Sequence, residues 1–334
     1  MPLTLAFAEL LYRGETFSQR TQLFTGKYRA GFPQQVVLFH LSLHDEGHWT
    51  MCAKLNLTLT FLVAAILPGV QGLTAAETAP LKALLIAGGC CHDYARQKEI
   101  LKHGLEAHAN VKVDIAYVDD GSTSPKLPIL GHPDYARGYD VIIHDECGAD
   151  LNDKAMVEAV LKPHRDGVPG VNLHCAVHSY RIGDPNQRAT PGTAHALWFE
   201  YLGLQSSGHG AQLPIAISFT DHDSPITKGL ADWTTMTEEL YNHVQVFPTA
   251  HALAHGKQTF KNREGVERSN DFVVVWTNLY QDKTRVFSTT IGHNNQTVEN
   301  PLYLDLVTRG LLWACGKLGD DGQPSPGYAA PATR

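Results

Sequence analysis

The chain has 334 residues, of which 43% are hydrophobic and 18% charged, with a formal net charge of -7 and a pI of about 6.2. That length accommodates one large domain or two small ones, with room for a sizeable core. No Lys/Arg stripe accompanies this balance, which excludes a nucleic-acid surface and suits a small polar or uncharged ligand.

The first 80 residues differ in character from the rest. Met51-Cys52-Ala53-Lys54 precedes an apolar run from Leu55 to Leu67, broken only by Asn56, Thr58 and Thr60, and then Pro68 and Gly69. A short basic start, an apolar centre and a small-residue exit describe a signal peptide over 51–76, with cleavage after Gly72 or Ala76. The run is too short to span a membrane as a helix. Met51 then reads as the true start and residues 1–50 as an over-extended leader, and a periplasmic or secreted protein is expected. Five cysteines would remain: Cys90, Cys91, Cys147, Cys175 and Cys315. That sparse, odd set is no disulfide framework, and the adjacent Cys90 and Cys91 would pair with each other only under strain.

From Leu81 the pattern alternates between strands and helices. Lys82–Ala87 is a short apolar run ending in Gly88-Gly89, the signal of a buried strand. Ile100, Leu101 and Leu105 recur at helical spacing, Val111–Val118 alternates as a strand, and Tyr139–Ile143 is another buried strand. Asn152–Leu161 sets Met156, Val157, Val160 and Leu161 on one helical face, with Gly167 beyond it. Gly170–Leu173 is a fourth strand, and 193–202 reads as a helix. Further strands are expected at 214–219, 271–277 and 285–290. Asn300-Pro301 opens a last helix through Trp313, closed by Gly316. Residues 318–334, rich in Gly, Pro and Ala, read as a flexible tail. Strands alternating with helices argue for a doubly wound, mostly parallel α/β sheet, with a more antiparallel edge near 245 and 270–290.

In such sheets ligands bind beyond the carboxyl ends of the strands. The segments that follow successive strands begin Gly88-Gly89-Cys90-Cys91-His92-Asp93, His144-Asp145-Glu146-Cys147, His174-Cys175, Asp221-His222-Asp223, Asn278-Leu279-Tyr280 and Ile291-Gly292-His293-Asn294-Asn295. The same enrichment at loop after loop describes a pocket lined by imidazoles, carboxylates and amides, although several of these residues also suit helix caps and loop turns. His174 and His178, four apart, would chelate a metal through one face if helical. Without His-Glu-x-x-His or Cys-x-x-Cys, however, spacing does not indicate a divalent metal, so no metal ligands are assigned and the cofactor is open.

Several segments carry a family resemblance. LKALLIAGGCCHDY, GVPGVNLHCAVHSYR, WFEYLGLQSSGHG, DHDSPITKGL, the run Glu238-Glu239-Leu240-Tyr241 and the block from Val274 to Gly316 occur in the order found in ThuA-like proteins, which they resemble over residues 81–317. The sequence departs from that pattern in Cys90-Cys91 before His92, in His209-Gly210 and in Cys175. The resemblance implies a flavodoxin-like, class I glutamine amidotransferase-like, three-layer fold over residues 80–317. It also implies carbohydrate metabolism, with a disaccharide or 3-keto-glycoside as small-molecule partner. On that reading His174, Glu239 and His293 are catalytic. His92, Asp93, His144, Asp145, Tyr241, Trp276, Asn278 and Asn294 bind substrate, and Tyr280 offers a further aromatic face. Two alternatives stand beside it. One is a non-catalytic carbohydrate-binding domain. The other is an amidohydrolase in which Cys175, His293 and Asn295 imitate a Cys-His-Asn triad, although His174 occupies the place where a nucleophile elbow needs a small residue.

Overall fold

The computed structural model describes residues 78–330. The leader and signal-peptide readings, over 1–50 and 51–76, lie outside the described residues. No helix among the described residues is long and apolar enough to cross a membrane.

Among the described residues nine strands form one sheet: β1 (Leu81–Gly89), β2 (Val111–Val118), β3 (Val141–Cys147), β4 (Gly170–Leu173), β5 (Leu204–Phe219), β6 (Trp233–Val246), β7 (Ala250–Lys261), β8 (Glu267–Tyr280) and β9 (Thr284–Thr289). Their order is β2-β1-β3-β4-β9-β8-β7-β5-β6. The first five in that order run parallel, and the others extend the sheet antiparallel. The antiparallel share is larger than the sequence pattern suggests. β5 begins ten residues before the strand expected at 214–219, and β6 and β7 carry many polar residues that blur their alternation. A long antiparallel strand with one solvated face does not need the continuous apolar run that marks a parallel one.

The helices are α1 (Tyr94–His108), α2 (Lys154–Asp166), α3 (Leu197–Leu202), α4 (Asn295–Val298) and α5 (Pro301–Ala314). Their ends follow local chemistry. Asp93, Asp153, Asn294 and Asn300 each accept a backbone N–H as N-caps, and Pro301 opens α5 where a missing N–H costs nothing. Only the last part of the expected 193–202 helix is α-helical, because a 3-10 turn (Ala194–Ala196) precedes α3.

Successive residues of a strand face opposite sides. Ala83, Leu85, Val141 and Ile143 join a core with Leu101 and Leu105 of α1 and Leu306, Val307 and Leu311 of α5. Leu84, Ile86 and Ile142 face a second core with Val157, Val160 and Leu161 of α2 and Trp198 and Tyr201 of α3. The C-terminal segment, expected to be flexible, is held as far as it is described. Leu318 bridges Pro324, Ala329 bridges Ala109, and the Asn110 backbone and side-chain N–H groups donate to the carbonyls of Tyr328 and Gly327. Backbone pairing holds this segment, and Leu318 and Tyr328 pack against the core.

Gly310 lies inside α5 directly over Phe287 of β9, and a Cβ there would fall on the buried ring. Helix propensity favours Gly310→Ala by about 1 kcal/mol, but overpacking a close-packed ring costs about 1–3 kcal/mol. The packing loss should win. Urea unfolding of Gly310→Ala is expected to show a lower midpoint with an unchanged m-value, and a raised midpoint would show that α5 yields freely.

Candidate functional site

β1, β4 and β9 are neighbours or near-neighbours in the parallel half, and the residues beyond their carboxyl ends meet. His92 follows β1, His174 opens a 3-10 turn directly after β4 (His174–His178), and His293 follows β9. The three imidazoles stand edge to face in pairs, with ring centroids 4.7 Å apart for His92 and His174, 4.8 Å for His92 and His293, and 5.5 Å for His174 and His293. Backbone carbonyls orient two of them. Nδ1–H of His174 donates to Thr290 O at 2.7 Å, and Nδ1–H of His92 donates to His293 O at 3.1 Å.

Tight backbone geometry makes this approach possible. His174 itself adopts φ 43°, a left-handed conformation that costs a non-glycine residue about 1–3 kcal/mol and concentrates at functional sites. Gly292 has φ 131°, and a Cβ there would stand 2.8 Å from Tyr303 Oη and 3.4 Å from His174 Cβ. Any side chain at 292 would push His293 away from His174.

The antiparallel half supplies the carboxylate. Glu239 of β6 is 6% exposed and faces three imidazoles: Oε2 stands 3.5 Å from His174 Nε2, and Oε1 stands 3.4 Å from His293 Nδ1 and 3.6 Å from His209 Nε2. The β5–β6 register sets Gln212 opposite Glu239, so its amide donates to Oε1 at 3.0 Å. Burial alone would raise the Glu239 pKa, but the facing His174 and His293 and the Gln212 amide hold it well below the usual carboxylate range. The carboxylate in turn raises the pKa of His293, against burial. Burial, then the neighbouring His174 and His293, lower His92 to about 3, so its ring is neutral.

Glu238 carries no site assignment from the sequence. Fully buried, it accepts the backbone N–H of His293 at 3.0 Å on both carboxylate oxygens and that of Gly292 at 3.4 Å. Gln97 of α1 donates to the Gly292 and His293 carbonyls at 3.3 and 3.2 Å. Gln97 does not stand out in the sequence and Glu238 does so only as part of the run Glu238-Glu239-Leu240-Tyr241, because each acts on backbone distant along the chain. His209 stands out there only as a departure from the family pattern, and Gln212 carries no signal of its own.

The other expected site residues divide. Asp93 and Asn294 line the open pocket beside His92 and His293, together with Cys91 and Asn295. Both also cap helices, and Asp93 accepts from Asn295 Nδ2 at 2.8 Å. Tyr241 is 1% exposed, stacked on His178 with centroids 3.9 Å apart and 5.0 Å from His174; it backs the site from within. The His174–His178 metal pair does not form, because His178 Nε2 bonds Ser206 Oγ at 2.7 Å.

His144 is not at the pocket. One residue of strand parity turns it and Glu146 into the α2/α3 core, where His144 bonds Glu146 at 2.7 Å and His164 at 3.1 Å, and Tyr180 Oη donates to Glu146 at 2.6 Å. Asp145 faces the opposite side, buried, and burial followed by the nearby Glu146 raises its pKa well above the carboxylate range. Trp276 and Asn278 are also interior. The Trp276 indole donates to Leu202 O at 2.7 Å, and the Asn278 amide donates to the Glu200 and Tyr201 carbonyls at 2.9 Å, closing the end of α3. Tyr280 is 5% exposed and accepts from Arg165 Nε at 3.3 Å.

Cys90 and Cys91 are bonded to each other, and Cys147, Cys175 and Cys315 are free among the described residues. Cys175 packs its sulfur against Cys147, and that contact and burial push its pKa well above the usual thiol value. Asn295 bonds Asp93, and no imidazole hydrogen-bonds the Cys175 sulfur among the described residues.

A family model described as trehalose utilisation, ThuA, matches residues 82–314. Among solved structures, a ThuA-like protein from Parabacteroides merdae superposes with a TM-score of 0.54 at 19% identity, over 75% of this chain and 98% of that one. A ThuA-like protein from Bacteroides uniformis gives 0.49 at 18% identity, over 71% and 92%. A GMP synthase protein from Thermoplasma acidophilum gives 0.42 at 13% identity, over 72% and 96%. No curated protein matches the chain.

The buried histidines set the pH dependence of stability. Burial lowers His164 and His92 to about 3, His243 to about 4, and His178 well below its ordinary value. Each stays neutral in the folded protein while the unfolded chain takes up its proton below about pH 6.5. Their stabilisation is therefore present above that pH and lost as pH falls toward the folded values. His293, with a raised pKa, acts in the opposite sense as pH rises, but it is one group against four. Urea unfolding is expected to show stability falling from about pH 6.5 to 4.5, with a slope of up to about 1.4 kcal/mol per pH unit for each fully buried histidine. A flat profile would mean these rings are protonated in the fold.

Proposed function

This chain belongs to the ThuA family of trehalose utilisation, and from that premise we propose that it is an enzyme acting on a disaccharide or 3-keto-glycoside by acid/base chemistry in the histidine-rich pocket. The observation that carries this reading is Glu239, an almost buried carboxylate facing His174 and His293 at 3.5 and 3.4 Å beside an open pocket. Structural carboxylates in a core close to full hydrogen bonds; this one keeps three imidazoles just beyond that distance.

In a 3-keto-sugar the ketone acidifies the proton on the neighbouring carbon. Glu239 is ionised at neutral pH and takes that proton; the electron pair moves to the ketone oxygen as an enolate. Collapse of the enolate breaks the bond from the next carbon to the glycosidic oxygen, which leaves with the proton handed on from Glu239; the products of this lyase-type cleavage are an enone and a free sugar. The low pKa of Glu239 makes it a ready but weak base, so the enolate must be strongly stabilised for the step to run. His92 and His293 line the pocket with His174 behind them, and it is at this face that the stabilisation has to be supplied. Asp93, Asn294 and Asn295 on the open side suit sugar hydroxyls. Helices gathered into two cores support a doubly wound, three-layer arrangement of the glutamine amidotransferase kind. The apolar run Leu55–Leu67 supports a secreted or periplasmic location.

The test is turnover of trehalose, sucrose, lactose and their 3-keto derivatives, followed by mass spectrometry, for wild type and Glu239→Gln. Wild type should cleave a keto derivative, and Glu239→Gln should lower kcat by about 10²–10⁴-fold with its fold intact. Equal rates for the two proteins would remove Glu239 from the chemistry. Binding of these sugars without turnover of any would instead make the pocket a carbohydrate-binding site.

A further inference from the structure

Two of the three imidazoles that meet after β1, β4 and β9 turn a lone pair rather than a hydrogen into the cluster. In His174 and His92 the Nδ1–H is committed to a backbone carbonyl, which fixes the tautomer and leaves Nε2 bare. His174 is 2% exposed and, among the described residues, its Nε2 has no hydrogen-bond partner and the buried Nδ1 of His293 has none either. Buried ring nitrogens left unsatisfied cost about 1–3 kcal/mol each, so two at one point need a physical reason.

The spacing supplies one. One nitrogen from each of His92, His174 and His293 can be chosen so that all lie within 4.8 Å of one another. Glu239 stands 3.5 and 3.4 Å from the bare nitrogens of His174 and His293. A charge-assisted hydrogen bond would close to about 2.7–2.9 Å. Ligands on arms of about 2.0–2.1 Å in a tetrahedron sit about 3.3–3.4 Å apart. The Glu239 separations are longer than such a hydrogen bond and close to a tetrahedral edge, so the carboxylate can stand beside an ion on which the three imidazoles, within 4.8 Å of one another, converge.

We propose that His92, His174 and His293 bind one divalent transition-metal ion of the zinc class, with Glu239 beside it. Three imidazoles suit zinc, copper, iron or nickel and not magnesium or calcium, and three protein ligands leave a position open toward the pocket. The carbonyls of Thr290 and His293 are the outer partners that ligating histidines require to hold their rings in place. The ion also fills a chemical gap. Bare imidazole nitrogens repel an enolate oxygen, and the lining of this pocket contains no Lys or Arg; a bound cation would polarise the ketone and steady the enolate. The site stands on geometry and does not depend on which sugar is the substrate.

The test uses the full chain, untagged and stripped with EDTA, titrated with Co²⁺ and then Zn²⁺. One equivalent of Co²⁺ should bind with the visible d–d absorption of a four- or five-coordinate ion, and Zn²⁺ should displace it. His92→Ala and His293→Ala, on partly exposed loops, should weaken binding by at least about 100-fold. His251→Ala, a surface histidine paired with Asp221, should bind as wild type. Should a variant fail to fold, mass mapping of diethylpyrocarbonate modification on wild type gives the answer directly: Zn²⁺ should protect His92 and His293. No stoichiometric binding, unaltered binding in the variants, or a thiolate-to-cobalt charge-transfer band that places the ion on cysteines would overturn the assignment. Binding without sugar turnover would overturn only the substrate reading, and sugar turnover without binding would overturn only the metal.

Discussion

The backbone between Thr290 and His293 anchors the site. Four side chains from four parts of the chain fasten to it: His174 to the Thr290 carbonyl, Gln97 to those of Gly292 and His293, His92 to that of His293, and Glu238 to the N–H groups of Gly292 and His293. A buried backbone group left unpaired costs free energy comparable to a lost hydrogen bond. The loop therefore holds these partners as firmly as they hold it. Gly292 makes the arrangement possible, since its φ and its closeness to Tyr303 leave no room for a Cβ.

The division of labour between Glu238 and Glu239 follows from this anchor. Both belong to β6, at the far edge of the sheet order from β4. Glu238 has its charge taken up by backbone N–H groups and positions the loop. Glu239 meets imidazoles, among them His293 of the pocket lining. One carboxylate is committed to structure while its neighbour is left available for chemistry. The joint also ties the antiparallel half to the strand ends of the parallel half, so the pocket is complete only when both halves are in place.

A second polar cluster shows the contrasting case. His144, Glu146, His164 and Tyr180 lie in the α2/α3 core, and every nitrogen of the two histidines has a partner: Glu146, each other, or the Val168 carbonyl. With every ring nitrogen paired and the side chains buried, they hold a core together. In the candidate site, bare nitrogens and an incompletely bonded carboxylate face one another at the edge of an open pocket. Residue type is the same in both places; the pairing of the ring nitrogens separates them.

Much of this was legible in the sequence, for local reasons. Buried strands announce themselves as apolar runs, helix ends as Asp, Asn and Pro caps, and the site as His and Asp directly after strands. These signals place β1, β3, β4, α2, α5, His92, His174 and His293, and the segment resemblance points to the family that the match over 82–314 shows. The order Glu238-Glu239-Leu240-Tyr241 singles out a useful strand. Tertiary structure decided the rest. Strand parity sent His144 into the core, since one residue reverses a side chain's face while leaving the loop motif unchanged. Trp276 and Asn278, which suit sugar binding by type, instead satisfy the carbonyls at the end of α3. The choice of Glu239 over Glu238 as the pocket carboxylate, the unsatisfied nitrogens and the long β5–β7 extension depend on contacts between residues up to about two hundred positions apart. Local sequence sets which groups are present and how each segment bends. Only the folded chain sets which lone pairs are left without a partner.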